Sequence, residues 1–238
     1  MTDSPTRVER RAQSRSRSRT GLMIGAAVLV VIAVVVGVVL FAGGGDDSSD
    51  GGGGSTATPG ADTNVTLEAG EVTADSAGPP VTVSQDIADG VIDTIGDYLQ
   101  VATVAPLRSG EPAGDLAPVV DGAALAPVSG VDRPALVDEG LPKVSTDLDV
   151  VAQPVAITGL GDQEGNLVAL TATINVDITA AAEGKAKPLH IVRTGYFVLS
   201  PDAAGAWKVS AYKMGVTRDG GTLDATTTTA AATPAAPK

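Results

Sequence analysis

The stretch from Gly21 to Ala42 (GLMIGAAVLVVIAVVVGVVLFA) constrains this chain more than any other, because it holds no ionisable side chain. At ~1.5 Å of rise per residue, a helix of this length crosses the ~30 Å hydrocarbon core of a bilayer. Lipid offers backbone groups no hydrogen-bond partner, so a single apolar segment satisfies them only as a helix. A transmembrane helix over 21–42 is therefore expected. The competing reading is a cleaved signal peptide, whose apolar core usually spans about 7–15 residues and ends in small residues. This run is longer and ends in Leu40-Phe41-Ala42, so an uncleaved signal-anchor is favoured. The pairs Gly21/Gly25 and Ala33/Gly37 have the small-xxx-small spacing that lets two such helices approach closely.

Charge sets the direction of insertion. Residues 1–20 carry Arg7, Arg10, Arg11, Arg15, Arg17 and Arg19 against Asp3 and Glu9, whereas the chain as a whole has a net charge of -12. The basic flank stays on the cytoplasmic side and the acidic remainder lies outside the cell membrane, by the positive-inside rule. The Ser/Arg alternation from Ser14 to Arg19 reads as this topogenic flank rather than as a nucleic-acid arm. An ectodomain this acidic argues against nucleic acid or anionic lipid as a partner. The chain has no Cys, which excludes a lipid-modified cysteine anchor and any Cys-based metal site or nucleophile. Its richness in Ala, Gly and Val resembles proteins of GC-rich bacteria.

Residues 43–80 read as a disordered linker, because GGGDDSSDGGGGSTATPG buries no core. A flexible linker of that length reaches roughly 35 Å, so the ectodomain stands clear of the bilayer. Asp46, Asp47 and Asp50 read as solvated linker charges rather than cation ligands. Asn64-Val65-Thr66 matches a glycosylation acceptor, relevant only in a eukaryotic secretory pathway. Residues 221–238, rich in Thr, Ala and Pro, are expected to form a disordered tail.

The folded unit is expected over 81–220. Thr82 and Gln85 have capping-box spacing, and Ile87, Val91, Ile95, Tyr98, Leu99 and Ala102 recur with a helical period until Pro106. Asp86, Asp89, Asp93 and Asp97 fall three or four apart and form one acidic stripe on the opposite face. That stripe is either a docking face for a basic partner or an ordinary solvated face. Asp115, Asp121 and Asp132 are placed to cap further short helical turns, with Gly140 as a stop.

Residues 147–159, 166–179, 188–199 and 206–218 are rich in Val, Ile, Thr and aromatics and read as strands. In the second, Val168, Leu170, Ala172, Ile174, Val176 and Ile178 alternate with polar or small residues, which fits one buried face. The turn segments Gly161–Gly165 and Ser200–Gly205 suit antiparallel hairpins. Asp162 and Glu164 lack the rest of a calcium loop, so no metal site is expected.

Helices first, then four long antiparallel strands ending in Ala206-Trp207-Lys208-Val209-Ser210-Ala211-Tyr212-Lys213, resemble the cone-shaped NTF2-like fold. The fold class expected is thus α+β: one transmembrane helix, then about three helices packed on a curved antiparallel sheet of about four strands. Placed after a basic tail, an anchor and a linker, this layout is similar to two bacterial groups. One is the mammalian-cell-entry-associated membrane proteins, the other the bitopic assembly subunits of type IV secretion and conjugation machines. Both resemblances imply a non-enzymatic scaffold or accessory subunit in a cell-envelope transport or secretion assembly. The implied partner is another envelope protein or a second copy of the chain.

Two alternatives stand beside that expectation. Tyr196, Phe197, Trp207, Val209, Tyr212 and Met214 are candidates to line a pocket for a lipid or small apolar ligand. His190 and Tyr196 share one strand face with Asp177 on the preceding strand, the raw material for proton transfer. Neither carries a diagnostic motif, so no catalytic residue and no cofactor is expected. Arg193, among Leu189, Ile191 and Phe197, requires either a buried carboxylate or an exposed position.

Overall fold

The computed structural model describes residues 65–144, 148–185, 187–220 and 223–233. The basic tail, the expected membrane span over 21–42 and most of the expected linker lie outside the described residues. Among the described residues no helix is long and apolar enough to cross a membrane.

A single mixed sheet of seven strands organises the domain. The strands are β1 (Ala69–Ser76), β2 (Asp149–Ala152), β3 (Val155–Gly161), β4 (Leu167–Ala180), β5 (Leu189–Pro201), β6 (Trp207–Gly220) and β7 (Leu223–Ala232). Their order is β1-β3-β4-β5-β6-β7, with β2 also pairing with β4. β1 runs parallel to β3, and every other pairing is antiparallel. β2 and β3 lie end to end along β4; Pro154, which has no N–H for the ladder, sits at the break between them.

This corrects the expected NTF2-like arrangement of about three helices on four antiparallel strands. The strand-rich segments 147–159, 166–179, 188–199 and 206–218 are all present as strands, but the first is split and two more strands flank them. β1 lies within the expected linker and β7 within the expected disordered tail. Val65 and Leu67, in the same expected linker, are buried against the core. The physical reason is that an edge strand needs a neighbour's hydrogen-bonding groups more than it needs apolar side chains. AGEVTADS and LDATTTTAAA carry too little apolar content to announce themselves, yet each satisfies its backbone on a formed sheet.

One helical run crosses the sheet. α1 (Gln85–Leu99) passes through a π-helical turn (Gln100–Val104) into α2 (Ala105–Ser109). It begins later than the Thr82 box predicts: Ser84 is the N-cap, its hydroxyl accepting the Ile87 N–H at 3.3 Å. It also continues past Pro106, where the sequence predicts a stop. A proline inside an α-helix clashes with the carbonyl four residues back and leaves it without a donor. Here the wider π turn takes up the misfit. The carbonyl of Ala102, four residues before Pro106, accepts the backbone N–H of Asp138 instead, at 2.8 Å. Two short helices follow, α3 (Gly122–Ser129) and α4 (Arg133–Leu136).

The core lies between these helices and one face of the sheet. Val91, Ile95, Tyr98 and Leu99 of α1 meet inward residues of the long strands, and Tyr98 stacks edge-on to Phe197 with ring centroids 5.1 Å apart. Leu170, Ala172, Ile174, Val176 and Ile178 of β4 are all buried, as their alternation predicts, while Val168 stays exposed. The hairpins β3–β4 and β5–β6 use the same turn chemistry. In each, an Asp Oδ1 (Asp162, Asp202) accepts the backbone N–H groups two and four residues on. These bonds, to Asn166 first in one and to Ala206 first in the other, hold both carboxyls below their ordinary value. Asp162 is thus occupied as a turn former, which accounts for it without a metal.

Candidate functional site

The acidic stripe forms as the helical period predicts. Asp86, Asp89, Asp93 and Asp97 are all exposed along α1, while Val91, Ile95 and Tyr98 are buried on its other side. Asp89 accepts a hydrogen bond from Gln85 Nε2 at 2.8 Å. Among the described residues none of the four aspartates pairs with a cation.

Five of the six candidate pocket residues belong to the core or pack against it. Phe197, Val209, Tyr212 and Met214 are buried members of the core, and Trp207 packs against it half-buried. Tyr196 lies half-buried on the opposite face of β5 from Phe197. Val209 and Tyr212, an odd number of residues apart, share a face because the register shifts between Val198 and Leu199: Val198 faces Ala211 and Leu199 faces Val209. The Tyr212 hydroxyl donates to Asp132 Oδ2 at 2.7 Å, and burial followed by that carboxylate pushes its pKa upward. Asp132, expected to cap α4, makes no side-chain cap.

His190 and Asp177 are brought together on the outer face of the sheet. His190 Nε2 lies 2.9 Å from Asp177 Oδ1, and Nδ1 lies 3.5 Å from Asp219 Oδ2 on β6. The hydrogen bond to Asp177 is the largest cause raising the His190 pKa above its ordinary value, and Asp219 adds to it. Tyr196, six residues along β5, sits roughly 20 Å away at about 3.4 Å per residue and takes no part. All three side chains are partly exposed, so the trio is a half-solvated charge cluster on the sheet surface. Among the described residues no group of three or more His, Cys, Asp or Glu could hold a metal ion.

The most unusual chemistry lies in the interior, where the sequence reading names only Arg193. Asp138, Arg193 and Arg218 are all buried. Arg193 Nη2 is hydrogen-bonded to Asp138 Oδ2, and Arg218 Nε donates to Asp138 Oδ1 at 2.6 Å. Further donors of both guanidiniums cap the end of α4, while Arg193 Nε is buried without a hydrogen-bond partner. Arg193 Nη1 donates to the Leu136 carbonyl at 2.9 Å, and Arg218 Nη2 donates to the Ala135 carbonyl at 2.9 Å. Tyr98 Oη donates to the same Leu136 carbonyl at 3.0 Å. Thus β5, β6 and α1 all grip residues 135–138, whose backbone is also held by the carbonyl that Pro106 leaves free.

Electrostatics follows from this geometry. Burial alone would raise the Asp138 pKa; the charges of Arg193 and then Arg218 outweigh burial and hold the carboxyl below its ordinary value. Burial, the largest influence on Tyr98, pushes its hydroxyl upward. Both Asp138 oxygens are taken by guanidinium, which leaves no free base. The cluster staples a loop onto a sheet. The sequence signal for it was a lone Arg on an apolar strand face; nothing local marked Asp138, which lies inside the helical turn read between Asp132 and the stop at Gly140. Comparison with protein-family models, curated proteins and solved structures returns no match.

Proposed function

We propose that this chain is a membrane-anchored, extracytoplasmic interaction module, an accessory subunit or scaffold of a cell-envelope transport or secretion assembly that works through protein contacts. The observation that carries the reading is the stripe of Asp86, Asp89, Asp93 and Asp97, exposed along the full length of α1 with no cationic partner among the described residues. The anchor and its orientation rest on the apolar run 21–42 and its basic flank. A multidentate acidic face suits a basic protein surface, where complementary charge steers encounter.

The test is crosslinking mass spectrometry on tagged full-length protein in its native membrane. Crosslinks from α1 to another envelope protein are expected. They should fall at least tenfold in an Asp89→Lys, Asp93→Lys, Asp97→Lys variant with an unchanged circular dichroism spectrum. Heterologous crosslinks that are absent, or indifferent to charge reversal, overturn the reading.

A further inference from the structure

The two edges of the sheet differ in a way that assigns them different roles. β1, at one edge, carries Glu71 and Asp75 and has a register irregularity between Ala69 and Val72. Charge and irregularity are the usual means by which an edge resists pairing with another strand. β7, at the other edge, pairs with β6, and among the described residues nothing lies beyond it in the sheet order. From Ala225 to Ala232 it reads ATTTTAAA, without charge or proline. Thr227, Thr229 and Ala231 are exposed on its outer face, and Ala230 is buried on its inner face. The irregularity of the β6–β7 ladder falls near the turn, between Arg218 and Gly220, so from Thr226 to Ala232 the edge is regularly paired and uncharged.

We propose that the free edge of β7 is a self-pairing surface on which β7 of a second copy adds antiparallel about a two-fold axis, extending the sheet across two chains. Two properties select a second copy. Charge is the first: the chain carries a net charge of -12, so two copies repel over most of their surface, and Thr226–Ala232 is a segment where they meet without opposing carboxylates. Self-complementarity is the second. An isologous antiparallel contact sets the segment against itself, and every register within Thr226–Ala232 places Thr or Ala opposite Thr or Ala. Small side chains let two edges approach to the ~4.8 Å ladder spacing, and cross-strand Thr pairs are mutually favourable. The proposal does not depend on the acidic stripe or on the membrane reading.

The chain has no Cys, so single-cysteine reporters are unambiguous. Thr227→Cys, Thr229→Cys and Ala231→Cys are placed singly, and as the pairs Thr227→Cys/Thr229→Cys and Thr229→Cys/Ala231→Cys that face each other when the two-fold axis passes through Thr228 or Ala230, in the full-length protein, with Asp75→Cys on the opposite edge as the control. Facing positions in an antiparallel pair have Cβ atoms about 4.5–5.5 Å apart, within reach of a disulfide. Mild oxidation should give a disulfide dimer for at least one β7 reporter, at least tenfold above the Asp75→Cys background. Adding Thr228→Lys and Thr226→Lys to that reporter should abolish the dimer while the circular dichroism spectrum is kept. Equal crosslinking at both edges, no dimer at any β7 position, or crosslinks from β7 only to a different protein would each overturn self-pairing. The readout is local to β7, so dimerisation through the membrane segment does not mimic it, and loss of heterologous partners on α1 leaves it untouched.

Discussion

Arg193 and Asp138 form a salt bridge in which neither side chain has any solvent exposure, although 55 residues separate them. Buried ion pairs often fail to repay their desolvation unless further hydrogen bonds engage what the pair leaves over. Here the second oxygen of Asp138 takes Arg218, and one further nitrogen of each guanidinium finds a carbonyl at the end of α4, although Arg193 Nε is left without a partner. One carboxylate serves two cations, and the surplus positive charge faces carbonyl oxygens.

Removing the carboxylate should therefore be severe. Asp138→Asn leaves two buried guanidiniums facing each other and is expected to lose about 3–5 kcal/mol of unfolding free energy in urea titrations. An Asp138→Leu, Arg193→Met, Arg218→Met variant, which takes all three charges away, should recover much of that loss. A loss under ~1 kcal/mol for Asp138→Asn would show that the cluster does not hold residues 135–138.

The same carboxylate predicts an acid dependence. Its folded pKa lies below the ordinary 3.8, so as pH falls the unfolded chain takes up the proton first. The stability it contributes is complete above about pH 4 and is lost as pH drops through the folded value. The triple apolar variant lacks this group and should lose less stability than the native chain between about pH 5 and pH 2. Asp162, Asp202 and Glu139, also held low, titrate in both proteins and cancel in the comparison. Parallel acid limbs for the two proteins would refute the assignment.

His190 has the opposite sign. Its pKa is raised above 6.5, so its favourable contacts are fully present below that pH and fade as pH rises through the folded value. Histidine NMR titration should find the folded pKa above 6.5, and Asp177→Asn should bring it down further than Asp219→Asn does, following the closer contact. Equal shifts from the two substitutions would contradict the geometry.

Gly195 in β5 is a steric prediction. A Cβ there would lie 2.1 Å from the Lys213 carbonyl oxygen and 2.9 Å from Met214 Cα, at a backbone φ of +149° that side chains rarely adopt. Both are backbone atoms of the paired strand β6, which has little room to yield, so Gly195→Ala should lower stability by about 2–3 kcal/mol, within the range for overpacked cores. Thermal unfolding of the purified variant within a degree of the native chain would refute this.

Several of these features were legible along the chain. The β4 alternation put Leu170 through Ile178 on one face, the α1 period put four aspartates on the other side from Val91 and Ile95, and turn chemistry located both hairpins. Each is a local pattern, because side-chain periodicity follows from backbone geometry and needs no distant partner. The lone Arg193 posed a question the sequence framed but did not answer. For the six aromatic and apolar candidates, composition does not distinguish residues lining a space from residues filling a core.

By itself the sequence determined the four strand-rich segments, the main helix, its acidic face and the apolar run 21–42, all features written at spacings of two to four residues or as an unbroken stretch. The tertiary structure decided everything that depends on a neighbour distant in sequence. A polar Thr/Ala segment becomes β7 because β6 offers it a ladder, and β1 joins in parallel because β3 does. The helix runs through Pro106 because Asp138 gives its N–H to the carbonyl that proline cannot serve. Asp138 then meets Arg193 and Arg218 in the dry interior, where an ion pair forms only between groups that the fold delivers to the same place.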